Sequence, residues 1–370
     1  MRPCVLAEQH AIAAPGARSC RCACTCRADV YETANPGQAR PRELRLCPVQ
    51  NLARQVEPDT DRNGPGVTGP VVGLVGGSSC SQTADAGRSR CQHGPMGTPS
   101  PEEIKAGVVG VFDRAAATYD QVGVDFFQPI GRFLLSRTDP QPGERVLDVG
   151  CGRGASAIPA AEAVGPTGSV LATDLAPSMV EEVRRTAGAL PWLRVEVGDA
   201  EQPHDGTFDI VQAGLVLFFL PSLDTALARY RALLAGDGRL GFTWFGEPDA
   251  RWEPVFRALA ADLPEGERPA TRTPGQGPFV SVATMHDHLS AQGWTEVTTE
   301  TLVHEVRVRD SDHWFEWSWS QGYRFVLEKL EAREQLAAAR DRVSRLLEEM
   351  AARDGGLAWR AEVHATLACT

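Results

Sequence analysis

From Glu102 onward the chain alternates between two rhythms of apolar and polar positions. Apolar side chains at every third or fourth residue predict helices over Glu102–Thr118 and Phe126–Arg137, and a short apolar run predicts a first strand over Arg145–Val149. A helix follows to Val164, with Pro159 placed near its start because proline fits only the first turn. "SVLATD" (169–174) reads as strand two, "APSMVEEVRRTAGA" (176–189) as a helix, "LRVEV" (193–197) as strand three and "FDIVQA" (208–213) as strand four. "LDTALARYRALLAGDG" (223–238) reads as a helix stopped by glycine, and "RLGFTWF" (239–245) as strand five. "TEVTTETLVHEVRV" and "LAWRAEVHATLAC" complete the set as strands six and seven. Strands alternating with helices at this spacing predict an α/β fold, a seven-stranded, mostly parallel sheet covered on both faces. Between the last two strands, about 310–356, lies an insertion of helical composition that opens "DHWFEWSWSQGYRF". Its Trp314, Phe315, Trp317, Trp319, Tyr323 and Phe325 predict a cap. Most of these rings should pack it onto the sheet, and one or two should face an apolar ligand.

Residues 1–95 carry neither rhythm. They are rich in Pro, Gly, Arg and Ser, with turn dipeptides throughout, and such a stretch buries too little apolar surface to offset its ordering entropy. Helical periodicity begins just after Met96, so the expectation is a domain over 96–370 with its core at about 140–245. The preceding extension is then either disordered or a mis-assigned start, with translation beginning at Met96. Hydrophobic residues at 42% and charged ones at 23% suit a soluble globular chain. The net charge of −11 divides into about +3 before Met96 and −14 after it. An acidic body without a basic stripe excludes nucleic acid and an anionic membrane surface as partners. No window approaches a membrane span, and Glu8 and His10 interrupt any signal peptide. Eight of the ten cysteines precede Met96, leaving Cys151 and Cys369 in a body that reads as reduced and cytoplasmic. "CRCACTC" (20–26) has one-residue gaps, unlike the two-to-four-residue gaps of a zinc knuckle.

The candidate chemistry starts at "VLDVGCGRG" (146–154), where a buried strand carrying Asp148 runs into Gly150, Gly152 and Gly154. Bare backbone at a strand tip is where a ligand approaches closely. In a parallel sheet the ligand lies beyond the carboxyl ends of the strands, and three acids stand at such ends: Asp148, Asp174 and Asp199. Asp174 follows Gly154 by 20 residues, the place for an acid that takes ribose hydroxyls, so a nucleoside is expected. Gly150, Gly152 and Ala155 also satisfy the permissive dinucleotide pattern, which keeps an NAD(P)-dependent oxidoreductase open. Against it, Asp148 would oppose a pyrophosphate and favour a cation. S-adenosylmethionine, with an ammonium, a sulfonium and a ribose but no phosphate, satisfies both acids. Taken singly, Asp174 is also what a helix cap needs and Asp199 what a turn needs.

"VLDVGCGRG", "VLATDLAPSM", "VGDAEQP", "FDIVQA" and "LLAGDGRL" resemble the successive motifs of class I S-adenosylmethionine-dependent methyltransferases. The likeness is to the small-molecule branch that includes the ubiquinone/menaquinone C-methyltransferases. It covers Tyr119 to about Leu240. It implies a Rossmann-like methyltransferase fold with S-adenosyl-L-methionine as cofactor. By that resemblance Asp148 faces the cofactor's amino group, partly through water, and the backbone of Gly150 and Gly152 meets its methionine part. Asp174 holds the ribose, Leu175 packs on the adenine, and Asp199 with the Ala200 amide reads the adenine edge. Gln212 and Ala213 lie beside the methionine carboxylate or the transfer channel, and Tyr119 closes over the cofactor. Gly236, Asp237 and Gly238 stand where the family often has Pro-Gly-Gly.

Methyl transfer needs alignment, exclusion of water and sometimes a base. His286, His288, His304 and His313 are the candidates, with His313 chosen because it adjoins the aromatic segment. No carboxylate cluster suggests a magnesium site, so the reaction is expected to need no metal. "QAGL" after strand four is unlike the Asn/Asp-Pro-Pro-aromatic motif of amino-methylating nucleic-acid enzymes. The expectation is a methyltransferase acting on a small aromatic or polyketide-like secondary metabolite, with O-methylation ahead of C- or N-methylation. A non-catalytic cofactor-binding module is the remaining rival.

Overall fold

The computed structural model describes residues 100–188, 190–202, 205–268 and 277–370. The expectations for residues 1–95, including the cysteine cluster and the start at Met96, lie outside these. The sheet is built from β1 (Arg145–Val149), β2 (Ser169–Asp174), β3 (Leu193–Val197), β4 (Phe208–Gly214), β5 (Leu234–Phe245), β6 (Thr295–Val308) and β7 (Leu357–Cys369). The order is β3-β2-β1-β4-β5-β7-β6. The first five strands run parallel, and β7 enters antiparallel between β5 and β6. The chain order reverses at β1 and β4, and this crevice is where such a sheet binds ligands.

Strand parity sets the two faces. On β1, Val146 packs with Ala160, Ala161 and Val164 of α3 (Ala157–Val164), whereas Leu147 and Val149 pack with residues of α5 (Leu223–Leu233) and α7 (Val282–Ala291). Two helices precede the sheet. α1 (Pro101–Ala115) starts on a full capping box, Ser100 with Glu103, and has proline in its first turn; α2 (Phe127–Thr138) follows. α4 (Pro177–Thr186) links β2 to β3. The 310–356 insertion is helical: α8 (Ser311–Trp319), α9 (Arg324–Glu331) and α10 (Leu336–Asp354), the last stopped at left-handed Gly355. With α6 (Glu253–Leu259) and the upper part of the β6–β7 hairpin, these helices share a core separate from that of the sheet.

Three helix ends differ from expectation: α1 stops at Ala115 and α4 at Thr186, each three residues early, and the helix before β5 stops five residues early. The helix before β5 ends at Leu233, and Leu234 is already extended and pairs with Phe208, so "LAGDG" belongs to the strand. Glycine weakens a helix without dictating where it stops; here ladder pairing at Leu234 ends it first.

α2 approaches the glycine turn very closely. A Cβ on Gly131 would sit 2.2 Å from the carbonyl oxygen of Ala155. Backbone cannot yield as a flexible side chain can, so Gly131→Ala should cost about 1–3 kcal/mol of stability. Thermal denaturation of the variant checks this.

Candidate functional site

Gly150, Gly152 and Gly154 all have positive φ (66°, 52° and 84°). At Gly150 a Cβ would fall 2.3 Å from the Val216 side chain, so the turn between β1 and α3 admits no other residue there. Tyr119, just beyond α1, lies over this turn, its ring 3.8 Å from where a Gly152 Cβ would be. It stacks on Phe127 (4.2 Å between centroids) and meets Phe112 edge-on.

Asp148 lies at the bottom of the crevice and is fully buried. Its Oδ2 accepts hydrogen bonds from Ser156 Oγ (2.7 Å) and Gln212 Nε2 (2.9 Å), while Oδ1 has no hydrogen-bond partner among the described residues. Burial raises its pKa to about 6, the nearby Asp174 adds to the rise, and the two hydrogen bonds partly offset it. Asp174, at the tip of β2, accepts from the amides of Gly152 (2.8 Å) and Ala176 (2.9 Å), and burial raises its pKa as well. It therefore serves the helix-cap role and also ties β2 to the glycine turn. Leu175 follows, half-buried at the entry to α4. Asp199, past β3, accepts from the Glu201 amide and binds Lys105 Nζ at 2.7 Å. Lys105 also reaches Glu201 at 2.5 Å. Beside them the carbonyl of Ala200 accepts from the Tyr230 hydroxyl at 2.7 Å.

Two expected site residues are placed differently from the reading above. Gln212 is fully buried under Asp148, where it orients the carboxylate instead of lining a channel, because its register partner on β1 is Asp148 itself. Ala213, one position on, turns to the opposite face and packs in the core with α5 and α7.

His313 does not fit the task of a base. Its Nδ1 accepts from the Arg309 amide (3.1 Å) and its Nε2 donates to the carbonyl of Val122 (2.7 Å), so both ring nitrogens of a neutral imidazole are committed. It is 3% exposed and holds the start of α8 against the 122–126 segment. His286, His288 and His304 are bonded to Thr299, to Gln292 and Asp224, and to the Asp125 carbonyl. Within the aromatic segment Trp314, Phe315, Trp317 and Phe325 are core, and Trp319 and Tyr323 are half-buried.

Three contributors escape a sequence reading. Ser156 is the second clamp on Asp148. The Arg153 guanidinium binds the carbonyl of Ala116 (2.6 Å) and Glu182 (2.8 Å), pinning the end of α1 beside Tyr119. Lys105 is the third. One signal pointed to it: it is one of only two lysines in a chain with 37 basic residues.

A buried carboxylate with one bare oxygen suits a cationic donor such as an ammonium and repels a phosphate. With a second acid at the tip of β2, the arrangement defines a strand-tip site for a positively charged nucleoside. A methyltransferase-domain family model matches residues 146–238. Nocamycin O-methyltransferase of Saccharothrix syringae is 37% identical over 247 residues, 63% of this chain and 88% of the relative. Aklanonic acid methyltransferase DauC of Streptomyces sp. (strain C5) is 45% identical over 158 residues, 42% of this chain and 68% of the relative. Among solved structures, the YcgJ protein of Bacillus subtilis aligns at 15% identity with a TM-score of 0.44, over 65% of this chain and 98% of its own. The chain belongs to the class I S-adenosylmethionine-dependent methyltransferases. The dinucleotide oxidoreductase reading falls with that finding, and the antiparallel β7 also departs from the usual dinucleotide-binding strand order.

The Asp148 shift has a signed consequence. A carboxyl pKa raised from 3.8 to about 6 contributes stability that is complete below about 3.8 and is lost as pH rises through about 6. A bound cation reverses the preference, so cofactor affinity should climb between about pH 5 and 7 and then level off. Calorimetric titration across pH tests this, and Asp148→Asn should flatten the slope. His313→Ala should lower stability by about 1–3 kcal/mol through the unpaired Val122 carbonyl and Arg309 amide. It should leave the shape of the pH–rate profile unchanged, and a lost alkaline or acidic limb would restore His313 as a base.

Proposed function

We propose that the enzyme works in the cytoplasm and transfers the methyl group to an oxygen of a small, aromatic or polyketide-like metabolite. The observation that carries this reading is the extent of the likeness to the nocamycin enzyme. At 247 residues it is much longer than the cofactor-motif stretch of 146–238, so the similarity is not confined to that stretch. The aromatic character of the cap agrees with it. From Tyr119 at the glycine turn a line of touching rings runs through Phe127 (4.2 Å) and Phe126 (4.7 Å) to Trp317 of α8 (5.7 Å), joining the turn to the aromatic core of the cap. For the location, Cys151 is a buried free thiol, and among the described residues no helix is long and apolar enough to cross a membrane.

When bound, S-adenosylmethionine supplies an electrophilic sulfonium methyl group. Asp148 Oδ1 takes its ammonium, with Ser156 and Gln212 holding the carboxylate in one orientation. Asp174 takes the ribose hydroxyls, and the backbone of the glycine turn takes the methionine end. Leu175 borders the adenine, whose edge meets Asp199 and Ala200. Tyr119 and Phe127 keep water out, and Arg153 keeps Tyr119 in place. The residues thus contribute alignment and a dry cleft, the two effects that a direct displacement requires.

Incubation with labelled S-adenosylmethionine and either aklanonic acid or 1,8-dihydroxyanthraquinone tests the reading. A product with its new methyl on oxygen is expected. Transfer to carbon overturns the oxygen assignment, and transfer to neither compound overturns the acceptor class.

A further inference from the structure

One of the chain's two lysines lies between two acids just past β3. Glu201 is the fixed end of this group. One of its carboxylate oxygens accepts from the Ser222 amide at the start of α5, and the other binds Lys105 Nζ at 2.5 Å. Lys105 in turn reaches Asp199 Oδ2 at 2.7 Å, and the Glu201 amide donates to Asp199 Oδ1 at 2.9 Å. Asp199 is therefore gripped at both oxygens, and its carboxylate cannot turn.

Exposure separates the two acids. The Glu201 side chain is 8% exposed and sealed, whereas Asp199 keeps 21% of its side chain open to a ligand. A carboxylate oxygen has two acceptor sites, so the gripped Asp199 retains one on each oxygen, aimed in a fixed direction. A neutral N–H donor gains from such an acceptor, because no rotamer freedom is left to lose when the bond forms. A keto oxygen in the same place would set lone pair against lone pair.

Lysine fits this position better than arginine, which supplies all but two of the chain's basic residues. Two carboxylates converge here on one nitrogen. A compact ammonium serves both, while the planar guanidinium fork is matched to one carboxylate at a time. Burial works against the Lys105 charge, and the bonds to Asp199 and Glu201 outweigh it, so the pKa lies above the ordinary lysine value. The ammonium thus persists across the neutral range. Seating α1 does not by itself account for it, since that helix is also tied by Asp113 to the Ser178 amide (2.9 Å) and by Arg114 to Glu328 (2.6 Å).

We propose that Lys105 is a positioning residue of the adenine subsite: by holding Asp199 beside Glu201, it makes the enzyme select a purine with an amino group over one with a keto oxygen. The inference deepens the assignment of Asp199 to the adenine edge and rests on it.

Calorimetric titration with S-adenosylhomocysteine and with S-inosylhomocysteine, whose purine has a keto oxygen in place of the amino group, tests the proposal. Wild type should prefer the adenine compound, and Lys105→Met should reduce the ratio of the two affinities about tenfold, the worth of one hydrogen bond. Arg114→Ala releases the same helix from α9 and should keep the wild-type ratio. A helix that is merely looser weakens both compounds alike, so the ratio isolates the action through Asp199. Should Lys105→Met fail to fold, Lys105→Gln, which keeps a donor between the acids without the charge, is expected to lower the ratio in the same direction. A wild-type ratio in the lysine variants, or an equal fall in Arg114→Ala, overturns the proposal and leaves Lys105 a tether of α1. Equal wild-type affinity for the two compounds removes the reading of Asp199, and the proposal with it.

Discussion

The charge on Asp148 is the constraint around which the crevice is arranged. A carboxylate with no exposure to water is expensive to ionise, and the fold offsets only part of that cost with Ser156 and Gln212. Both donors are directed at one oxygen. The other oxygen makes no hydrogen bond among the described residues, so the carboxylate keeps one side able to take a cation. Gln212 can act here because β4 lies in register beside β1, and Ser156 because the glycine turn brings α3 back over the strand it has just left.

The covering elements attach to the same crevice from several directions. α1 spans it, held by Lys105 at the end of β3, by Asp113 on the Ser178 amide of α4, and by Arg153 at its own last turn. On its outer side Arg114 pairs with Glu328 of α9, so one helix is bonded to both the cofactor half and the cap. These are mostly partly buried pairs of opposite charge. Their value lies less in net stability than in fixing where Tyr119 and Phe127 stand.

The legible part of this protein was whatever its local pattern determines. β1, β2, β3, β6 and β7 occupy the ranges that their patterns predict, because short runs or alternations of apolar and β-branched residues bounded by turn residues have few alternatives. The acids at the strand tips were legible for the same reason: position along a strand decides which end a side chain occupies. What stayed hidden depends on distant partners. The Nε2 of His313 answers to Val122, 191 residues earlier, and Lys105 meets Asp199 across 94 residues. Gln212 was misread because parity and burial at the end of β4 depend on its neighbour in the sheet, and the limit of α5 was misread because a ladder contact outweighed glycine.

The cap is threaded between two strands that pair antiparallel, and Val308 stands directly opposite Leu357, so its three helices leave and re-enter the sheet at adjacent points. The ladder itself closes the loop, and the length of what lies between adds only a slowly growing entropic cost. Such an insert can be lengthened, shortened or exchanged without disturbing strand register. The helical insert and the strand-tip half are therefore free to change at different rates in descendants of one ancestral chain.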